Sequence, residues 1–212
     1  MHLAVQSNGT PSDTHIDDHA GGLHRIGSLS PARFRPAIPV LRPLLASGDR
    51  LLPYLRRIDH ARIYTNWGPL TRELEERLRA HFSVSAASVV SASSGTAALI
   101  GGILATAGRA TRSRPLAIIP AFTFVATAVA VEQCGFEPYL VDIDPHTWQI
   151  DPARLASRAV LRRTGVIVPV APFGRPVSQA SWLAFRSRTG IPVIIDAAAG
   201  FETLTGAGES AI

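Results

Sequence analysis

Three short runs in this 212-residue chain place chemically capable side chains directly after apolar stretches. Ser93-Ser94-Gly95-Thr96 leads into a helical pattern. Its small residues let backbone N–H groups approach an anion, and a helix start adds a favourable dipole. The same residues also suit a plain tight turn with a Ser or Thr cap. Pro120-Ala121-Phe122-Thr123-Phe124-Val125-Ala126-Thr127 offers aromatic rings that can stack on a flat heteroaromatic ligand, with core packing as the alternative use. Val193-Ile194-Ile195-Asp196 ends on an acid that costs free energy to bury unless a cation or hydrogen-bond donors meet it. A protonated ring nitrogen is one such cation, and the acid would keep it charged. The competing reading of Asp196 is a cap on the segment that follows.

The elements that position these runs follow from periodicity. Leu70, Leu74 and Leu78 recur every four residues, with Phe82 extending the face, and predict a helix from Pro69. On its wet side, Glu73 with Arg77 and Glu75 with Arg79 are acid-before-base pairs at the favourable spacing. Beyond it, residues 88–91, 116–120, 139–141, 166–170 and 192–195 read as strands. Residues 96–107, 124–134 and 179–188 read as helices ending near Gly108, Gly135 and Gly190. Asp151 and Pro152 form a cap and first-turn pair for a helix to about residue 159. Strands apolar on both faces, alternating with helices, predict an α/β fold: a mostly parallel sheet with helices on both faces. Ligands of such sheets collect at the carboxyl ends of the strands, where all three runs fall.

Residues 1–35 lack a hydrophobic period and predict a disordered tail, leaving 36–212 as one domain. His15, Asp17, Asp18 and His19 read as a solvated stretch, so no metal site is expected. Pro39, Pro43 and Pro53 are expected to limit any helix between 38 and 57 to short pieces. All 21 basic side chains are Arg, and the chain contains no Lys. The Arg residues are scattered, as at Arg56, Arg57, Arg112 and Arg114, so no nucleic-acid partner is expected. The net charge of +5 suits anionic small molecules instead. The uncharged stretch 116–131 is too short to span a bilayer and is divided by Pro120, so no membrane partner is expected. Cys134, the single cysteine, reads as a buried structural thiol in a reducing, cytoplasmic setting. No G-x-G-x-x-G, Walker or G-x-S-x-G pattern is present.

Taken together and in order, the three runs resemble those of the DegT/DnrJ/StrS-type sugar aminotransferases, which use pyridoxal phosphate. Asn66-Trp67-Gly68-Pro69, Val141-Asp142-Ile143-Asp144-Pro145 and Phe173-Gly174-Arg175-Pro176 extend the likeness over about residues 64–201. The resemblance implies the large domain of the aspartate aminotransferase fold (fold type I), incomplete at the C-terminus. It implies that Gly95 and Thr96 hold the cofactor phosphate, Phe124 stacks on the ring and Asp196 pairs with the ring nitrogen. Asp142 and Asp144 are read as turn-formers. Ala199 stands where the family has Gln or His against the ring hydroxyl, and a methyl group cannot make that hydrogen bond.

An intact relative would take an amino group from an amino-acid donor, commonly glutamate, and pass it to a nucleotide-linked keto sugar. Such sugars serve cell-surface polysaccharides or secondary metabolites, and the enzymes are homodimers with active sites at the subunit interface. The family's catalytic lysine follows the aspartate run, and this chain has none, so no catalytic residue is assigned. An Arg guanidinium stays protonated and cannot form the Schiff base. The expectation is therefore the N-terminal part of such an enzyme, inactive alone. A non-catalytic binding or assembly module that keeps the pocket is the alternative.

Overall fold

A computed structural model of the chain describes residues 43–84, 89–156 and 158–201. The expected tail, with its histidines, and the first residue of the expected strand 88–91 lie outside them. The chain divides into two units, Met1–Ala46 and Ser47–Ile212, and the second carries the elements below.

Leu51, Tyr54, Leu55 and Ile58 follow a helical i, i+3, i+4, i+7 spacing, and α1 (Gly48–Ala61) forms over them as one 14-residue helix. The expectation of short pieces is corrected here. Only Pro53 falls inside the helix, and the carbonyl its ring crowds is that of Asp49, in the first turn. Gly68 and Pro69 then open α2 (Pro69–Phe82), with Pro at a first-turn position where its missing N–H costs nothing.

Glu73 pairs with Arg77 as the spacing predicts, and also with Arg57 of α1. Arg79, however, pairs with Glu76. Glu75 instead accepts from the Trp67 indole Nε1 at 2.8 Å and from the Ser91 backbone N and Oγ at 2.7 Å each. Three donors on one carboxylate outweigh a single exposed ion pair. They hold the Glu75 carboxyl below the usual range, the Ser91 backbone N–H contributing most. That N–H is thereby taken from any ladder, and residues 89–91 form no strand.

Among the described residues the sheet has three parallel strands, β1 (Leu116–Pro120), β2 (Glu137–Val141) and β3 (Thr164–Ile167), in the order β2-β1-β3. Residues 193–196 run beside the β3 end as isolated bridges, Ile167 to Val193 and Val170 to Asp196, in place of the continuous strand expected at 192–195. Pro169 and Pro192 each lack an N–H, which leaves gaps in that ladder.

The helices α3 (Gly95–Thr106), α4 (Val125–Gln133), α5 (Pro152–Leu155) and α6 (Gln179–Thr189) cover both faces. Alternation along β1 divides the core accordingly. Ala117 and Ile119 pack with Leu99, Ile103, Ala130 and Val131 on one side. Ile118 packs with Leu155, Trp182 and Phe185 on the other. α5 ends earlier than expected because Arg158 is extended (φ −80°, ψ 131°), and a 3-10 turn at Ala159–Arg163 replaces its last turn. Cys134 is buried, as expected, and burial pushes its thiol pKa up. No helix among the described residues is long and apolar enough to cross a membrane.

Candidate functional site

With β1 central, the chain leaves it toward β2 and later returns to its other side as β3. This reversal makes the carboxyl end of β1 a topological switch point, where open α/β sheets bind ligands. Two of the three sequence runs meet there. Phe124 caps the N-terminus of α4 in extended backbone, and its side chain is 77% exposed. One turn later Thr127, fully buried, donates from Oγ1 to Asp196 Oδ2 at 2.8 Å. Asp196 is itself buried, at 7% exposure. Its backbone is fixed by two bonds, Asp196 N to the Pro169 carbonyl and Ala171 N to the Asp196 carbonyl, both 2.8 Å. Its other carboxylate oxygen, Oδ1, accepts from the Ala198 backbone N at 3.2 Å, so the capping reading of Asp196 also holds. Neither oxygen of this buried acid faces an ion-pair partner among the described residues.

The Ser93–Thr96 run opens α3. Ser94 caps the helix, its Oγ accepting from Ala97 N at 3.1 Å and its carbonyl from Ala98 N at 2.9 Å. The first-turn amides of Gly95 and Thr96 therefore have no intrahelical acceptor. A Cβ at Gly95 would meet no atom of the described residues within 4 Å, so the backbone there is not closely packed on that side. No hydrogen bond joins Gly95 or Thr96 to Asp196. The link is the shared core, in which Leu99 of α3 packs with Val131 of α4 and with Ile194, two residues before Asp196.

Ala199 is exposed, and its carbonyl oxygen lies 2.7 Å from where a Cβ on Gly174 would stand. Gly174, at φ +79°, lets the 172–174 turn approach the backbone at Ala199, on the segment that follows Asp196. Asp144 forms a turn as expected: its Oδ1 accepts from His146 N and Thr147 N. Those two backbone donors, Thr147 first, hold its carboxyl below the ordinary range.

Two features were not assigned from the sequence. Thr127 closes the run whose aromatics draw the eye, and its i, i+4 spacing from Thr123 is the available signal. Phe122, Trp148 and Phe173 form an exposed aromatic trio with ring centroids 5.7–6.0 Å apart. Trp148 and Phe173 hold their places through left-handed backbone at φ 60° and 50°, which no spacing rule reveals. A separate cleft of about 670 Å³ opens between α1, residues 63–68 and the start of α2, lined in part by Arg56, His60, Tyr64 and Trp67. It shares no lining residue with the Asp196 site.

The profile of the DegT/DnrJ/EryC1/StrS aminotransferase family matches residues 47–209. A Mycobacterium tuberculosis protein is 33% identical over 180 residues, which cover 82% of this chain and 42% of the relative. The UDP-2-acetamido-2-deoxy-3-oxo-D-glucuronate aminotransferase of Pseudomonas aeruginosa is 42% identical over 134 residues, 63% of this chain and 36% of that enzyme. Among solved structures, DesI in the presence of its TDP-sugar product superposes with a TM-score of 0.68 at 31% identity, covering 80% of this chain and 42% of DesI. The chain thus spans about two fifths of the length of the relatives it matches. It belongs to the DegT/DnrJ/EryC1/StrS aminotransferase family.

Proposed function

We propose that residues 36–212 supply the pyridoxal phosphate cradle of a sugar aminotransferase and form the N-terminal part of its large domain. The observation that carries this reading is Asp196, a buried acid at the switch point with hydrogen-bond donors but no cationic partner among the described residues. A protonated ring nitrogen is the cation such a carboxylate suits, and it would be held charged there. Phe124 offers an exposed face one turn from the residue that touches Asp196, suited to stacking on the same ring. The Gly95 and Thr96 amides at the start of α3 suit a phosphate. Ala199 contributes only backbone beside the ring, leaving its hydroxyl without the family's side-chain partner.

Pyridoxal phosphate, when bound, supplies the electron sink through which an amino group is moved. This chain's residues bind and orient it: Asp196 keeps the ring nitrogen protonated, Phe124 fixes the ring plane, and the α3 start anchors the phosphate. No lysine stands among the 212 residues, so the amine that holds the aldehyde must come from elsewhere. For the complete enzyme we propose a cytoplasmic homodimer taking an amino-acid donor, commonly glutamate, and a nucleotide-linked keto sugar. The names of the Pseudomonas relative and of DesI support that substrate class. A second reading is a non-catalytic binding or assembly module that keeps the pocket.

Titration of the purified chain with pyridoxal phosphate, followed by borohydride reduction and peptide mapping, tests the proposal. Saturable binding with no adduct inside residues 60–212 is expected. Failure to bind at all, or an adduct mapped inside that stretch, would overturn it.

A further inference from the structure

Nothing in the motif comparison assigns a role to Thr127, yet among the described residues it is the one side chain that hydrogen-bonds the Asp196 carboxylate. Its Oγ1 also lies 2.8 Å from Thr123 Oγ1. The proton positions on this pair follow from counting. An ionised carboxylate only accepts, so the single hydroxyl proton of Thr127 goes to Asp196 Oδ2. The 2.8 Å contact between the two threonines then needs the Thr123 proton. The longer 3.4 Å approach of Thr123 Oγ1 to the Phe124 carbonyl is left as a secondary contact. A directional chain results, running from Thr123 to Thr127 to Asp196. Both threonines lie on the segment that carries Phe124, so the chain couples the stacking residue to the acid.

We infer that Thr127 is a positioning residue, with Thr123 behind it, that fixes the Asp196 carboxylate for the cofactor's ring nitrogen. The inference rests on the cofactor reading above. Thr127 Oγ1 and Ala198 N each take one lone pair, on Oδ2 and Oδ1 respectively, and so set the plane of the carboxylate. Each oxygen keeps a further lone pair with which to accept from a ligand. Ordering the acid before the ligand arrives removes that cost from binding. Low local dielectric strengthens the chain, and removing its middle member would leave a buried carboxylate short of a donor.

Two measurements separate this inference from the cofactor reading. In the unliganded chain, a double-mutant cycle of Thr127→Val and Asp196→Ala is followed by urea unfolding. The two changes are expected to be strongly non-additive, because the valine removes the donor only where its acceptor exists. Additive effects would overturn the hydrogen-bonded coupling whether or not the chain binds cofactor. The second measurement titrates pyridoxamine phosphate into the parent, Thr127→Val and Thr127→Ser chains. Thr127→Val is expected to weaken binding by roughly 10- to 100-fold, the range for a hydrogen bond to a charged group. Thr127→Ser, which keeps the hydroxyl, should stay within about threefold of the parent. Equal affinity in the valine variant, or equal loss in the serine variant, would overturn the positioning role. A parent that binds nothing would sink the cofactor reading, while the unfolding cycle would still decide whether Thr127 holds Asp196.

Discussion

Replacing Gly174 by Ala tests how tightly the 172–174 turn is locked against the segment that carries Asp196. Two penalties are readable in the structure. Gly174 sits at φ +79°, and a left-handed backbone costs an L-residue about 1–2 kcal/mol. The new Cβ would also stand 2.7 Å from the Ala199 carbonyl oxygen, a backbone atom that cannot swing aside. Overpacking of this kind adds about 1–3 kcal/mol. The smaller unfolded-state freedom of Ala returns about 0.4–1 kcal/mol, so Gly174→Ala should destabilise by about 1–4.5 kcal/mol. Gly190→Ala is the internal control. Gly190 has a similar φ of +66°, but a Cβ there meets nothing within 4 Å, so only the conformational penalty of about 1 kcal/mol should remain. Urea unfolding of parent and both variants gives the comparison. Equal losses in the two variants would refute the argument that Ala199 and Gly174 are in hard contact.

Glu75→Gln should destabilise the chain at neutral pH, and the gap from the parent should close in acid. The folded carboxyl is held below its usual range, so its stabilisation is present above that range and lost as pH falls through the lower folded value. Urea unfolding at neutral pH and at about pH 3 checks this, and a gap that widens in acid would contradict it. Cys134, fully buried and with its thiol pKa raised by burial, should react with a thiol reagent only as fast as the chain unfolds. Rapid labelling of the native chain would show that the α4 end is open.

Most of the frame was legible because single residues announce it. Gly135 and Gly190 mark helix ends, Asp151 and Pro152 mark a helix start, and alternation along β1 divides Ala117 and Ile119 from Ile118. Misreadings came where a partner far along the chain decides. Glu75 was assigned to Arg79 by local spacing, but Ser91, sixteen residues away, holds it. Pro53 by itself predicts a broken helix, although the amphipathic pattern around it carries α1 through. At the candidate site, residue types pointed to Phe124 and Asp196. The Thr127–Asp196 bond joins residues sixty-nine apart, and no period or motif spacing encodes such a contact. The aromatic trio likewise depends on three loops meeting at one end of the sheet.

The central claim is that Asp196 serves a cationic ring nitrogen, and nitrogen NMR reads that atom directly. Pyridoxamine phosphate labelled with ¹⁵N in the ring would be bound to the parent chain and to Asp196→Ala, and its ring-nitrogen shift followed with pH. In the parent, the bound ring nitrogen should stay protonated well above the pH at which the free compound loses that proton, and Asp196→Ala should abolish the difference. A bound ring nitrogen that titrates in the parent as it does in free solution would contradict the account.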